Sequence, residues 1–330
     1  MIESTTAFTL AIITAGVTAA CCPPLIAILK RHSRYDVACE RSSHSVPTPR
    51  GGGIAVVAGA GAAVVFAAVS LDDSGDRRLW VVLVGAGLLA AVGFADDVRG
   101  FSPVLRLLAQ IGVGLGCGAA LGGLLGAIMG AVVVPAAVNM VNFMDGINGL
   151  AAGHAAVWGV GAMLAVGAGG GLILAVFGAI SLGGGLGFLP WNAPRARLFL
   201  GDVGSYFFGA LAGIGLLSLI ASPDALGAGA TTFGLVCAPY LLFALDTSTA
   251  IVRRLRAGEH IFLAHRTHVY QRLVNEGGLP HWVVSAAMVI TSLVVTLAVA
   301  WDLFVGAAFA FLACVSYLAS PRLFTGAVTA

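Results

Sequence analysis

The 330-residue chain has little charge: Asp, Glu, Lys and Arg together make up 10% of it, against roughly 25% in soluble domains. Hydrophobic residues make up 59%. This imbalance excludes an ordinary soluble protein and indicates an integral membrane protein. The net charge of +2 gives no basic excess that would favour nucleic acid as a partner. The 46 glycines are typical of membrane helices that pack closely.

The sequence also lacks a cysteine framework and a cleavable signal. Its cysteines form no CxxC pair and have no spacing typical of a metal site, so we expect them to be ordinary membrane-helix residues. The first apolar run is long enough to span a membrane, and it ends in Lys30-Arg31 instead of a small-residue cleavage site. The cysteines are Cys21, Cys22, Cys39, Cys117, Cys237 and Cys314.

Long apolar runs are what the chain does have. A spanning helix needs roughly 20 predominantly apolar residues. By this measure the sequence predicts an all-α polytopic membrane protein that forms one domain over 1–330 and has about eleven spans. The number would be ten if the weak boundary near Gly123 or near Gly169 does not separate two spans. The predicted spans are 5–29, 51–71, 79–95, 103–121, 125–141, 150–168, 170–189, 203–221, 227–250, 281–300 and 303–320.

Basic residues are distributed very unevenly among the loops. The odd-numbered loops, the C-terminal tail and the adjoining helix ends hold all but Arg77 and Arg78 of the 17 Lys and Arg residues. The positive-inside rule therefore predicts an external N-terminus and a cytoplasmic C-terminus in the cell (inner or plasma) membrane. The five predicted cytoplasmic loops are about 30–50, 95–102, 142–149, 190–202 and 251–280.

Two adjacent carboxylates, Asp96 and Asp97, follow the third predicted span. Neighbouring residues on a helix point about 100° apart, so we do not expect both to contact one ion directly. One can face a metal-bound phosphate while the other faces Lys or Arg. A solvated helix end would explain the pair as well.

The third cytoplasmic loop lies in the sequence VNMVNFMDGING, residues 138–149. Asn139, Asn142 and Asp145 are spaced i, i+3 and i+6, which places them in one polar stripe if the helix continues through them. The glycines that follow would end the helix and let backbone approach a ligand. The stripe indicates a binding surface, with helix packing through asparagine as the alternative.

In the fourth loop, Asp202 stands between glycines in the sequence Gly-Asp-Val-Gly-Ser, at the start of the next span. A carboxylate beside the free N–H groups of a helix N-terminus suits a metal-bound phosphate. Capping of its own helix would explain Asp202 equally well.

The fifth loop combines His265, Arg266 and His268 within four residues. Interleaved arginine and histidine predict an anion-binding surface, and contact with anionic lipid is the simpler alternative. Asp246, near the end of the preceding span, could orient an arginine or bind substrate.

Taken in order, these motifs resemble those of the polyprenyl-phosphate N-acetylhexosamine-1-phosphate transferases, glycosyltransferase family 4. The family includes phospho-N-acetylmuramoyl-pentapeptide transferase and the undecaprenyl-phosphate GlcNAc-1-phosphate transferases. The similarity runs from Pro47-Thr48-Pro49-Arg50-Gly51-Gly52, by itself only an ordered loop, to Arg272. It implies a multi-helix fold with a cytoplasmic active site, Mg²⁺ (Mn²⁺ as a substitute), a UDP-N-acetylhexosamine donor and a polyprenyl-phosphate acceptor. It leaves a homodimer open.

The resemblance also implies roles for single residues. Asp96 and Asp97 match the pair implicated in binding or deprotonating the lipid phosphate. Asp202 matches the principal magnesium ligand, and Asn142 matches an asparagine near the metal. Asp145 matches an acidic position near the nucleotide-sugar. The other substrate-binding residues that we expect are Arg50, Asn139, Asn192, His265, Arg266 and His268.

Two departures from the family pattern bear on the substrate. Asn148 stands where many members have Asp, and the last loop lacks the three consecutive histidines of the pentapeptide transferase. The chain therefore looks closer to members that start O-antigen or other surface polysaccharides. We expect it to transfer a sugar-1-phosphate from a UDP-sugar to polyprenyl (undecaprenyl) phosphate and to release UMP. The alternatives are the pentapeptide transferase, a different sugar donor, and a transporter of nucleotide sugar or lipid phosphate.

Overall fold

The computed structural model describes residues 4–36, 47–70, 77–221, 229–259 and 267–325. These residues are almost entirely helical, which confirms the predicted all-α membrane fold. The only sheet among them pairs β1 (Tyr35–Asp36) with β2 (Thr48–Pro49) in antiparallel fashion. The helices are α1 (Ser4–Arg31), α2 (Gly53–Ser70), α3 (Arg77–Arg99), α4 (Pro103–Phe143), α5 (Leu150–Gly167), α6 (Gly171–Asn192), α7 (Gly201–Ile220), α8 (Ala230–Cys237), α9 (Leu241–Arg256), α10 (Val269–Asn275), α11 (His281–Trp301) and α12 (Leu303–Thr325).

Nine helical segments in the described part of the chain are long and apolar enough to cross a membrane, and a shorter apolar helix lies at Gly53–Val69. One of the nine, α4, has 41 residues and leaves the helical conformation at Gly122 and Gly123. Gly123 has a φ of 61°, in the left-handed region that favours glycine. Counting α4 as two arms and adding the shorter helix gives eleven apolar segments, at the positions that the sequence predicts.

The two arms of α4 fold back on each other as a helical hairpin. Gly114 approaches the backbone of Gly130, and Gly118 approaches the backbone of Gly126. A side chain at these positions would collide with the opposite arm, so the glycines allow the close approach. The weak boundary near Gly123 is therefore a real turn between two predicted spans.

Three boundaries differ from the predictions. Helix α3 continues to Arg99, so Asp96 and Asp97 belong to its last turn. The predicted span 227–250 is two helices joined by a 3-10 turn, Ala238–Tyr240, because Pro239 cannot continue an α-helix. Loop 251–280 contains the short helix α10, which its polar sequence did not predict.

The described cysteines are all unpaired, as expected, and Cys39 lies outside the described residues. Helix α7 is the centre of the fold: 89% of its most apolar stretch is buried, against 11% for α12. Helices α3 and α4 pack along α7, and glycines hold its first turn closely. Gly93 of α3 meets the backbone of Asp202, and Gly53 of α2 meets that of Gly204. These contacts fix the start of α7, where the polar loops converge.

Candidate active site

A cavity of about 560 Å³ lies where the five predicted cytoplasmic loops meet. Its lining includes five carboxylates and two guanidinium groups, which gives a formal charge of −3 with histidine neutral. Such a cavity attracts cations and would repel an anionic diphosphate unless a cation accompanied it. The ionisable residues that line it are Asp36, Arg50, Asp96, Asp97, Arg106, Asp145, Asp202 and His281.

Asp202 is the second residue of α7, which begins at Gly201 with a φ of +76°. Its Oδ1 accepts hydrogen bonds from Asn142 Nδ2 at 2.9 Å and from Arg50 Nη2 at 2.7 Å. The same nitrogen of Asn142 donates to the Ser205 hydroxyl at 3.0 Å, which orients the amide. A further side-chain hydrogen bond joins Asp202 to the carboxyl group of Asp96. The two predicted metal-site residues are therefore in direct contact.

Asp97 caps α7 from the neighbouring helix α3. Its Oδ1 accepts from the N–H of Asp202 and its Oδ2 accepts from the N–H of Val203, both at 3.1 Å. Arg50 Nε lies 2.9 Å from Oδ1 of Asp97. The prediction of free N–H groups at this helix N-terminus is wrong, because Asp97 occupies them. Asp202 does not cap its own helix either, since α7 has no side-chain cap at Leu200.

Asp96 is 3% exposed and is held by different partners from Asp97. Its Oδ1 accepts from the Phe101 N–H at 2.8 Å. Its Oδ2 lies 2.8 Å from Arg106 Nε and accepts from the Tyr206 hydroxyl at 3.3 Å. The two adjacent carboxylates thus have different partners, as the helical geometry predicts. Arg106 was not predicted from the sequence. The feature that could have identified it is its position as an ionisable residue inside a predicted membrane span.

Main-chain hydrogen bonds join the first loop to the fourth. The N–H groups of Gly51 and Gly52 donate to the Phe199 carbonyl at 3.2 and 2.8 Å, and the N–H of Gly53 donates to the Leu200 carbonyl at 2.8 Å. A Cβ atom on Gly52 would collide with the Phe188 ring and with the Phe199 carbonyl, so only glycine fits where the two segments pair. This pairing places the preceding residue, Arg50, over the start of α7.

Arg50 bridges Asp97 and Asp202, with 39% of its side chain exposed against 9% and 10% for the two carboxylates. Burial alone would lower the pKa of Arg50, but the Asp202 and Asp97 carboxylates raise it above its ordinary value. The guanidinium therefore stays charged across the physiological range of pH.

The predicted polar stripe is only partly right. Helix α4 ends at Phe143, so Asp145 lies on the loop beyond it. Asn142 and Asp145 both line the cavity, whereas Asn139 does not. Instead, Asn139 Nδ2 donates to Gln110 Oε1 at 2.5 Å and links the two arms of α4. Asn139 therefore lies at the packing interface between the two arms of α4, which was the alternative to a binding role.

Asp145 is half-buried, and among the described residues nothing forms a hydrogen bond or ion pair with its side chain. Burial raises its pKa well above the ordinary value, and the Asp202 and Asp97 carboxylates raise it further against the opposing effect of Arg50. It is thus an available carboxyl group of variable charge in the cavity.

Asn192 ties the third loop to the fourth. Its Oδ1 accepts from the Gly149 N–H at 2.5 Å, and its Nδ2 donates to the Leu198 carbonyl at 3.0 Å. Asn148 adds a second link through Nδ2 to the Pro194 carbonyl at 3.2 Å. Both asparagines line the cavity, and both shape its wall.

The histidine loop is placed differently from the prediction. His268 is 4% exposed and does not line the cavity. Its Nδ1 lies 3.4 Å from Oδ1 of Asp246, which also accepts from the Val269 N–H at 2.9 Å. Asp246 therefore caps α10. His265 and Arg266 lie outside the described residues.

Helix α10 supports the cavity from behind. The Tyr317 hydroxyl donates to Asp246 at 2.7 Å, and the Tyr270 hydroxyl donates to the Phe143 carbonyl at 3.0 Å. Tyr270 also packs directly under Gly146. The next residue, Gln271, reaches the cavity lining and was not predicted. The network thus joins the last loop to the loop that carries Asp145.

An apolar groove of about 720 Å³ runs along the second arm of α4 and along α7 and α9. It includes Phe143, the chain neighbour of Asn142, and continues through Met140 and Val132. Two neighbouring residues at the end of α4 therefore line different spaces: Asn142 lines the polar cavity and Phe143 lines the apolar groove.

The donor set of the cavity is compatible with Mg²⁺. No group of three or more His, Cys, Asp or Glu side chains within the described ranges forms a metal-binding cluster. Mg²⁺ does not need one, because it is usually held by one or two carboxylates together with water and substrate phosphates. Asp202 and Asp145, which both line the cavity, provide such carboxylates.

Comparison with known proteins agrees with the motifs. The model of glycosyl transferase family 4 matches residues 79–221. The chain is 32% identical over 275 residues to decaprenyl-phosphate N-acetylglucosaminephosphotransferase of Mycolicibacterium smegmatis, covering 72% of this chain and 68% of that protein. It is 26% identical over 262 residues to the probable undecaprenyl-phosphate N-acetylglucosaminyl 1-phosphate transferase of Bacillus subtilis, covering 73% and 70%.

A phospho-N-acetylmuramoyl-pentapeptide-transferase of Mycobacterium leprae is 29% identical over 257 residues, covering 59% of this chain and 72% of that protein. It covers less of the chain than the N-acetylglucosamine-phosphate transferases do, in line with the departures in the last loop. The matched family region contains Asp96, Asn142 and Asp202, which meet in the cavity. By its family model, its relatives and its motifs, the chain belongs to glycosyl transferase family 4.

Proposed function

We propose that the protein transfers N-acetylglucosamine-1-phosphate from UDP-GlcNAc to polyprenyl phosphate and releases UMP. The observation that carries this proposal is a cavity of converging carboxylates beside the end of α4, where the next residue, Phe143, lines an apolar groove. The mycobacterial and Bacillus relatives are named for transfer to decaprenyl and undecaprenyl phosphate. We place the cavity on the cytoplasmic face of the cell membrane, as the distribution of basic residues predicts.

In the proposed reaction an oxygen of the lipid phosphate attacks the β-phosphorus of UDP-GlcNAc. The bond from that phosphorus to the bridging oxygen breaks, and UMP leaves with the bridging oxygen. Such phosphoryl transfers depend chiefly on positioning and on electrostatic stabilisation. Both reactants are anionic and the cavity is anionic too, so a cation would be needed to offset their repulsion.

We assign Mg²⁺ to Asp202, with Asn142 holding the carboxylate in place. When bound, the metal neutralises charge on the diphosphate. Asp145 is assigned to the nucleotide-sugar side of the cavity. Arg50, with its outer face exposed, is assigned to the diphosphate, and the predicted contacts of His265 and Arg266 with the donor belong to the same proposal.

Asp96 and Asp97 are assigned to positioning. Every oxygen of the two carboxylates already accepts from the protein, through the start of α7 and through Arg106. A phosphate monoester has a second pKa of about 6, so most of the acceptor phosphate is already doubly ionised at pH 7. A strong protein base is therefore not required for the attack.

The apolar groove is assigned to the acceptor chain. Phe143 lies at its polar end, and the walls along α4 and α9 are mainly aliphatic and aromatic. Each Å² of apolar surface that an isoprenoid chain buries there contributes about 25 cal/mol. This arrangement would hold the phosphate at the cavity while the chain stays among the helices.

The direct test is UMP release from UDP-GlcNAc by purified protein with polyprenyl phosphate and Mg²⁺. Asp202→Ala should abolish the Mg²⁺-dependent activity, and full activity in this variant would refute the metal assignment. A panel of UDP-sugars, including UDP-N-acetylmuramoyl-pentapeptide, decides the donor. Substrate flux across liposomes without chemical turnover would instead favour a transporter.

A further inference from the structure

Arg50 occupies the carboxylate that the proposed function reserves for the metal. Its Nη2 donates to Oδ1 of Asp202 at 2.7 Å, and Asn142 donates to the same oxygen at 2.9 Å. A carboxylate oxygen has two lone pairs, so these two donors saturate Oδ1. A divalent cation that binds Asp202 through both oxygens has to displace one of them.

Arg50 is the donor that can leave. Asn142 is anchored by its second bond, to Ser205, and it belongs to a helix. Arg50 has a long side chain with 39% exposure, and it retains its contact with Asp97 through a different nitrogen, Nε. Only part of its guanidinium donor set is used by the two carboxylates, so outward-facing N–H groups remain for a ligand.

A diphosphate offers the displaced guanidinium a better partner. Guanidinium groups match phosphate oxygens in bidentate geometry. Donor binding and metal binding would each release the same contact, so each would favour the other.

We propose, on the basis of the proposed function, that Arg50 is an exchangeable counter-ion. In the donor-free protein it competes with the divalent cation for Asp202. When the donor arrives, Arg50 pairs with the diphosphate and leaves Asp202 to the metal. The metal therefore binds weakly to the donor-free protein and tightly together with the nucleotide-sugar.

The test is Mn²⁺ binding to the purified donor-free protein, followed through the electron paramagnetic resonance signal of free Mn²⁺. Arg50→Met should tighten Mn²⁺ binding about tenfold if about nine molecules in ten hold the Arg50–Asp202 contact. Arg50→Lys keeps the charge and should bind Mn²⁺ with intermediate affinity. In turnover, Arg50→Met should raise the KM for UDP-GlcNAc.

Arg106→Met is the matched control. Arg106 lines the same cavity but pairs with Asp96, so this variant removes an equal charge without freeing Asp202. It should tighten Mn²⁺ binding much less than Arg50→Met does. Equal effects of the two variants, or unchanged Mn²⁺ affinity in both Arg50→Met and Arg50→Lys, would overturn the proposal. UMP release by the wild-type protein reports separately on the proposed function.

Discussion

Replacing Asn142 with Ala removes the amide that holds Asp202 at the start of α7. The amide donates to the Asp202 carboxylate at 2.9 Å and to Ser205 at 3.0 Å. A hydrogen bond to a charged group contributes about 1.5–3 kcal/mol. Because about 1.36 kcal/mol changes a rate tenfold, we expect kcat/KM for UDP-GlcNAc to fall roughly 10- to 150-fold.

The matched control lies one helical turn earlier. Asn139 donates to Gln110 between the two arms of α4 and lines the apolar groove instead of the polar cavity. Such interhelical hydrogen bonds average about 0.6 kcal/mol, so Asn139→Ala should reduce kcat/KM by no more than about threefold at saturating acceptor. The assay is UMP release at varied donor and Mg²⁺ concentrations. An Asn142→Ala enzyme within threefold of wild type, or an equal loss in Asn139→Ala, would refute this view of Asn142.

Three further predictions address the fold and the cavity. Gly53→Ala should lower the free energy of unfolding by about 1–3 kcal/mol, because the new Cβ would collide with the Gly204 backbone. Gly61→Ala, in open space on the same helix, should be neutral or stabilising. Equal melting midpoints of the two variants in a thermal scan would contradict this prediction. Above the raised pKa of Asp145 its carboxyl group is ionised and repels the donor, so without divalent cations Asp145→Asn should bind UDP-GlcNAc more tightly than wild type. Below that pKa the two proteins should bind the donor equally. Calorimetry that finds the same difference in affinity at every pH would exclude the assignment of Asp145 to the donor. Tyr270→Phe loses the hydrogen bond to the Phe143 carbonyl, which is worth about 1 kcal/mol. This variant should stay monodisperse and should have a KM for the donor raised about fivefold. An unchanged KM would show that α10 does not support the cavity.

Much of the fold could be predicted because the hydropathy of a short segment is enough to identify it as a membrane span. The apolar runs locate the spanning segments, and even the weak boundary near Gly123 corresponds to the turn of the α4 hairpin. The break at Pro239 and the helix α10 were not predicted. The seven residues of α10 lie in a polar loop and are too few for an apolar period to stand out, so Asp246 and Tyr317 define the helix through tertiary contacts.

Only part of the cavity lining could be predicted, because Asn139 and His268 do not line the cavity whereas Arg106 and Gln271 do. The order of the motifs brought Asp96, Asp97, Asn142 and Asp202 together correctly, and all four line one cavity. Their partners could not be predicted, because Asp97 caps a helix through the N–H of Asp202, which lies 105 residues later in the chain. Such pairings depend on which helices pack side by side, and no local pattern in the sequence records that.

The central claim is that this cavity transfers N-acetylglucosamine-1-phosphate to a lipid phosphate. The most direct measurement follows UDP-GlcNAc labelled in the sugar and its β-phosphate, incubated with the purified protein, polyprenyl phosphate and Mg²⁺. We expect the label to move to the lipid with one UMP released per sugar-phosphate transferred, and Asp202→Ala to abolish both. Release of UDP instead of UMP, or no lipid-linked label in the wild-type protein, would contradict the account.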